Sequence, residues 1–179
     1  PLNTYASIAT SYMSLLKKIT FKDGFINFSY LNDRLDLRAS RLKEISIYTN
    51  QNTLLKKTVL NHGHFYSGYA DNTYNYRLKL TGLTTKNGND GVEYSHSFEY
   101  NEQDILPPYR SPTDNNTLFA LNALDYWGYY NGKVQNPNLI PITPYTHLPA
   151  GDRTPDERYA KACILEKIVY PTGGFTTFT

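Results

Sequence analysis

Few side chains in this sequence have the type and spacing that chemistry needs. His62 and His64 stand two apart, so on a strand they share a face and could grip a metal. No third ligand of suitable spacing lies near them, and His96 and His147 are distant in sequence, so a surface histidine pair is the plainer reading. Asp33, Arg34 and Asp36 offer either a paired-carboxylate site or a salt-bridged turn, and acids so close in an irregular link favour the turn. Asn87-Gly88-Asn89-Asp90-Gly91 opens like a calcium loop, but Phe98 stands at the twelfth position, where a bidentate Glu is required, so a hairpin turn is expected. Cys163 is the single cysteine, which excludes an internal disulfide, and it follows a helix end, where nothing activates a thiol; it is read as a small buried residue. Gly173-Gly174 has neither the Lys nor the helix that a phosphate loop needs. No catalytic residue, metal site or cofactor is expected.

The aromatic segment Tyr126-Trp127-Gly128-Tyr129-Tyr130 is different. Rings displayed on a β domain stack on sugars, with Trp127, Tyr129 and Tyr130 as the platform and Asp125 and Asn131 as polar partners. Alternatively Trp127, the sole Trp, is a packing anchor that closes a loop over the open end of a sheet. In that case Trp127→Ala costs about 3 kcal/mol. Solvent exposure separates the two: an anchor is buried, a sugar platform is an exposed row.

The elements that must position these residues are strands. The 179-residue chain has room for one domain with a core. It carries 17 Tyr, 11 Gly and 10 Pro, a composition of pleated surfaces joined by turns. Its 18 basic and 16 acidic residues leave a net charge of +2 without blocks, which argues against a nucleic-acid partner. No apolar run approaches a membrane helix, so no membrane span is expected. The chain begins without Met, and its last residues read as an unfinished strand, so a fragment of something longer is expected.

Two stretches near the ends are near copies. Leu165, Lys167, Ile168, Tyr170, Gly174, Phe175 and Phe178 fall on Leu16, Lys18, Ile19, Phe21, Gly24, Phe25 and Phe28 when one extra residue is allowed in the later turn. The earlier copy reads as a hairpin with a type I′ turn at Asp23-Gly24, pairing Lys22 with Phe25, Phe21 with Ile26 and Ile19 with Phe28. Between the copies, strands are expected over Leu42–Tyr48, Leu54–Leu60, Tyr76–Thr84 and Val92–Tyr100, with His62–Asn75 a polar aromatic loop or edge strand. Residues 101–153 form a long aromatic and Pro-rich connection. Thr154-Pro155-Asp156-Glu157 is a helix start, with Thr154 as N-cap, opening a short helix near 155–162.

The fold expected is all-β, a mostly antiparallel, sandwich-like domain with that one short helix and the long connection. Its organisation is an N-terminal arm (1–14) and a single β domain (15–179), the latter divided into a hairpin-rich sheet (15–100), the connection (101–153) and a helix with closing hairpin (154–179). Leu16, Ile19, Phe21, Ile26, Phe28, Ile45, Ile47, Leu78, Leu80, Phe98, Ile168, Tyr170 and Phe178 are its expected core.

The unit L-x-x-I-x-Y-P-T-G-G-x-T-x-F at Leu165–Phe178 resembles the repeat of Rhs/YD-repeat proteins. Together with DYWGYYNGK at Asp125–Lys133, LIP at Leu139–Pro141, Asp152-Arg153 and Tyr159-Ala160-Lys161-Ala162, it is similar to the region that precedes the YD repeats in large bacterial proteins of that superfamily. The resemblance implies a non-catalytic structural module of a secreted or cell-surface protein, with adjacent β repeats of the parent polypeptide as partners. The edge strand is expected to pair with the next repeat or to self-associate. The alternative function is a carbohydrate-binding β-sandwich module that takes a glycan on the exposed aromatics.

Overall fold

The computed structural model describes residues 14–37, 39–68, 73–110, 119–144 and 149–178. The N-terminal arm therefore lies outside the described residues except for Ser14, as does His147. Among the described residues eight strands follow one another in a single antiparallel sheet whose spatial order is the sequence order. They are β1 (Lys18–Phe21), β2 (Gly24–Leu31), β3 (Arg41–Thr49), β4 (Leu54–Tyr66), β5 (Tyr76–Asn87), β6 (Val92–Tyr100), β7 (Leu165–Val169) and β8 (Phe175–Thr177). Among the described residues two one-turn helices, α1 (Phe119–Asn122) and α2 (Glu157–Ala160), lie in the connection between β6 and β7. No helix among the described residues is long and apolar enough to cross a membrane.

The all-β, antiparallel expectation holds, and β6 occupies the predicted residues. Strand β4 runs on through His62 and His64, the start of the stretch expected as a loop or edge strand, so Leu54–Tyr66 is one continuous strand. The register carries a corrected turn. Phe21 faces Gly24, Thr20 faces Phe25 and Ile19 faces Ile26, so the two-residue turn is Lys22-Asp23 and Gly24 opens β2. Neither Lys22 nor Asp23 has positive φ, which excludes the type I′ turn. The expected pairing is displaced by two residues. A displacement of two preserves the pleat, so Ile19, Phe21, Ile26 and Phe28 still share a face.

That face continues across the sheet. Ile26 lies opposite Ile47, Phe28 opposite Ile45, and Phe98 opposite Ile168. The expected core residues that lie in strands are thus sorted by face as their alternation implies, but they are not buried. Leu16, Ile19, Phe21, Tyr170 and Phe178 are exposed, and the rest are half-covered. Among the described residues the buried hydrophobics are Ala123 and Ala162, both outside the sheet. The buried strand positions are Gly24, Ser46, Gly82 and Thr85. The described strands make one layer, so the sandwich-like arrangement is not formed among them. Alternation along a strand records which face is apolar; it does not record what covers that face.

The near copies at the two ends form equivalent hairpins. In β7–β8, Val169 faces Phe175 and Ile168 faces Thr176, matching Thr20–Phe25 and Ile19–Ile26. The later turn holds one more residue, and Gly173 takes φ +85° to close it. Tyr170 N then donates to Gly174 O at 2.8 Å, and Gly173 N to Tyr170 O at 3.0 Å. Each hairpin sets a lysine over a phenylalanine, Lys18 on Phe25 at 3.8 Å and Lys167 on Phe175 at 5.1 Å.

The helix start is also displaced. Asp156, not Thr154, caps α2: its backbone is extended (φ −134°) and its carboxylate accepts from Arg158 N at 3.1 Å and Tyr159 N at 3.4 Å. The Thr154 hydroxyl is already donated to Asp152 Oδ1 at 2.6 Å. The helix is confined to Glu157–Ala160 within the expected 155–162.

Candidate functional site

The aromatic connection is ordered from beneath by polar side chains. Asp125, 2% exposed, accepts from Trp127 N at 2.8 Å and Tyr129 N at 2.9 Å through one carboxylate oxygen. Gly128, at φ +91°, lets the chain turn back so that Asp125 N donates to Tyr129 O and Leu124 bridges to Tyr130. Arg153 then clamps the loop from outside, donating to the Leu124 and Asp125 carbonyls. Asn131, fully buried, donates to the Asp152 and Thr154 carbonyls at 3.0 and 3.2 Å and accepts from Lys133 N. Asn136 makes a parallel tie, donating to Asn122 O and Asp152 O and accepting from Asp152 N. Gly132 is required where it stands: a Cβ there would lie 2.3 Å from the Tyr159 ring.

This reverses the anchoring role expected for Trp127. Its side chain is 79% exposed at the loop tip, flanked by exposed Tyr126 and Tyr129. Tyr130 is turned inward and meets Tyr159 edge-on at 5.3 Å. Trp127 and Tyr129 are therefore displayed, Tyr130 is half-covered, and Asp125 and Asn131 are committed to the backbone beneath the loop. The pattern that could have revealed this is Asp-x-x-Gly followed by Asn-Gly, a spacing suited to side-chain-capped turns.

Beneath Tyr129 lies a cleft of about 360 Å³ between β5, the Leu106–Tyr109 segment, α1 and α2. Its walls are tied together. Tyr109 N donates to Tyr74 O at 2.9 Å, Cys163 N to Asn101 O at 2.9 Å, and Arg158 grips Asp104 at 2.7 Å. Leu106, Leu121, Leu124 and Ile164 supply apolar lining, and Tyr109, Tyr129, Tyr130 and Tyr159 supply rings. Arg77 enters from β5. It donates to Pro107 O at 2.5 Å, and its guanidinium lies 4.2 Å from the Tyr109 ring centroid. Burial lowers its pKa from the ordinary arginine value. Sequence reading missed this residue, because an Arg on an alternating strand looks like any solvated charge.

The remaining candidates resolve as structural. Arg34 grips Asp36 through two bonds of 2.9 and 2.7 Å, and Asp36 also accepts from Leu78 N. Asp33 is paired with Arg41 instead. Burial pushes the Asp36 carboxyl up, but Arg34 and the Leu78 amide outweigh it and hold the group below its ordinary value. His62 lies against Leu60 O and Arg41, and burial holds its pKa below the usual histidine value. His64 takes the Leu35 amide at 3.4 Å, and His96 lies edge-on to Tyr94 and Tyr170. No group of three metal-binding side chains occurs among the described residues. In the Asn87–Gly91 turn, Asn87 accepts from Asn89 N and Gly91 N, while Asp90 pairs with Lys57 and Lys86. Cys163 is half-buried at φ +61°, and burial raises its pKa, which leaves a protonated, inert thiol.

No family model matches the chain, and no curated protein and no solved structure matches it either.

Proposed function

We propose that this chain is a non-catalytic scaffold module, one segment of a wider antiparallel sheet in a secreted or cell-surface protein of the Rhs/YD-repeat type. The observation that carries the reading is the difference between its two equivalent hairpins. On the outer side of β2, strand β3 sets Tyr48 against Phe25, with ring centroids 5.1 Å apart, and its Tyr48 carbonyl passes so close to Gly24 that a Cβ would lie 2.1 Å from it. On the outer side of β8 the same two positions are open. Phe175 is 62% exposed, and a Cβ on Gly174 would meet nothing nearer than Thr172 Oγ1 at 3.8 Å. The edge of β8 thus offers the donors, the small residue and the ring that β2 uses to hold β3. The exposed apolar face of the sheet agrees with a module that is covered by neighbours.

A peptide with the β3 sequence, Arg41–Thr49, tests this in trans. It is expected to slow hydrogen exchange at Phe175–Thr177, and Gly174→Val is expected to abolish the protection while leaving the fold intact. Protection that is absent at saturating peptide, or unchanged in Gly174→Val, overturns the reading.

Exposure of Trp127 favours a second role, glycan binding at the aromatic loop. A glycan array followed by quenching of the single Trp decides it: a bound glycan that shifts Trp127 emission and is lost in Trp127→Ala supports the role, and an array with no hit, or with hits that all persist in Trp127→Ala, removes it.

A further inference from the structure

We propose that the cleft between β5, α1 and α2 is a binding site for an apolar carboxylate, a small aliphatic or aromatic acid held by Arg77. The site starts from an uncompensated charge. Among the described residues no carboxylate lies within ion-pair distance of Arg77, although ten other basic side chains of the fold have one. The ionisable groups that bear on it are Tyr109, Tyr130 and Cys163, phenols and a thiol. Its fixed partners are neutral as well, the Pro107 carbonyl and the Tyr109 ring face. These contacts orient the guanidinium without neutralising it.

An arginine held this way presents a planar fork to a carboxylate, and in apolar surroundings such a pair is strong. The rest of the cleft sets the other end of the ligand. Leu121, Leu124 and Ile164 offer no hydrogen bonds, and Tyr129, Tyr130 and Tyr159 offer ring faces and edges. A space of about 360 Å³ lined by apolar groups around a single cation is of ordinary ligand-site size. A polyhydroxylated acid would set most of its hydroxyls against Leu106, Leu121, Leu124, Ile164 and ring faces, where they lose hydration. An apolar acid loses nothing there.

The single Trp provides the readout, since Trp127 stands two residues from Tyr129 at the cleft mouth. The unmodified protein is titrated with phenylbutyrate and octanoate, each beside its primary amide and beside glucuronate, by calorimetry and Trp emission. The apolar acids are expected to bind saturably, about tenfold or more tighter than the amides. Arg77→Met is expected to remove that preference. Equal binding of acid and amide overturns the proposal without any variant being made, as does tighter binding of glucuronate or saturation by none of the acids. An acid preference that persists in Arg77→Met places the anion elsewhere and overturns the assignment to Arg77. The outcome is independent of the β8 edge, where the scaffold reading is tested.

Discussion

Gly24 and Gly174 occupy the same place in two equivalent hairpins, one beneath the Tyr48 carbonyl of a neighbouring strand and one beneath open space. Their substitution by alanine therefore gives opposite results. Gly24→Ala forces β3 away from β2 and is expected to cost about 1–3 kcal/mol, the range for overpacking. Gly174→Ala is expected to stay within about 0.5 kcal/mol of the parent. Urea denaturation of the two variants side by side measures the difference, and equal losses would show that the approach of the Tyr48 carbonyl does not set the cost.

The loop that carries Trp127 is held by Asp125, so stability follows the acid and not the ring. Asp125→Ala leaves two backbone N–H groups without their acceptor and is expected to destabilise by about 1–3 kcal/mol. Trp127→Ala removes a side chain that is mostly in solvent, and a melting curve within about 0.5 kcal/mol of the parent is expected. Acrylamide should quench Trp127 freely in the native protein.

Acidification should weaken the fold in two stages. The folded pKa of His62 lies below its ordinary 6.5, so the unfolded chain takes up the proton first, and its contribution, complete above 6.5, fades as pH falls through the folded value. Asp36 acts in the same direction at lower pH: its contribution is complete above 3.8 and is lost as pH falls through a folded value lower still. Denaturation midpoints against pH should show both limbs. His62→Gln should flatten the upper one and Asp36→Asn the lower one, and an unaltered profile in either variant would remove that group from the account.

The Lys–Phe pair repeated in the two hairpins differs in its surroundings. Lys167 also binds Glu99 of β6 at 2.9 Å, whereas Lys18 lies on the first strand of the described sheet with no carboxylate partner among the described residues. Substitution by Met is thus expected to cost more at Lys167 than at Lys18, by roughly 0.2–1 kcal/mol, the worth of an exposed ion pair. Raising the salt concentration should shrink the gap, and a gap that is insensitive to salt would assign it to packing.

Local alternation and turn chemistry made much of the sheet legible. Val92–Tyr100 and the strands of the two equivalent hairpins were readable from their periodicity and from the Gly beside each turn. The turn at Lys22-Asp23 was misplaced because Asp-Gly favours a type I′ turn locally, whereas the approach of Tyr48 requires Gly24 inside the strand. Burial was not legible: Ile19 and Phe21 carry the pattern of a core face whether or not a second layer lies on it. The site was legible only as composition. Trp127 drew attention by size, but Asp125, Asn131 and Asn136 do the ordering, and their partners are backbone groups far along the chain. Arg77 was invisible because its setting is built by residues 106–109, 120–130 and 159–164, which the sequence keeps distant.

The neighbour-only order of the strands has a mechanical consequence. Each strand is hydrogen-bonded to the strands before and after it in sequence, so tension applied across the width of the sheet loads one ladder at a time. The outer hairpins would peel first, releasing contour length strand by strand at low force, while a load along the strands would have to shear whole ladders together. A sheet of this kind is compliant in one direction and stiff in the other, as a woven strip is, and, apart from the β6–β7 ladder that closes the long connection, it can refold behind the load from contacts that are close in sequence.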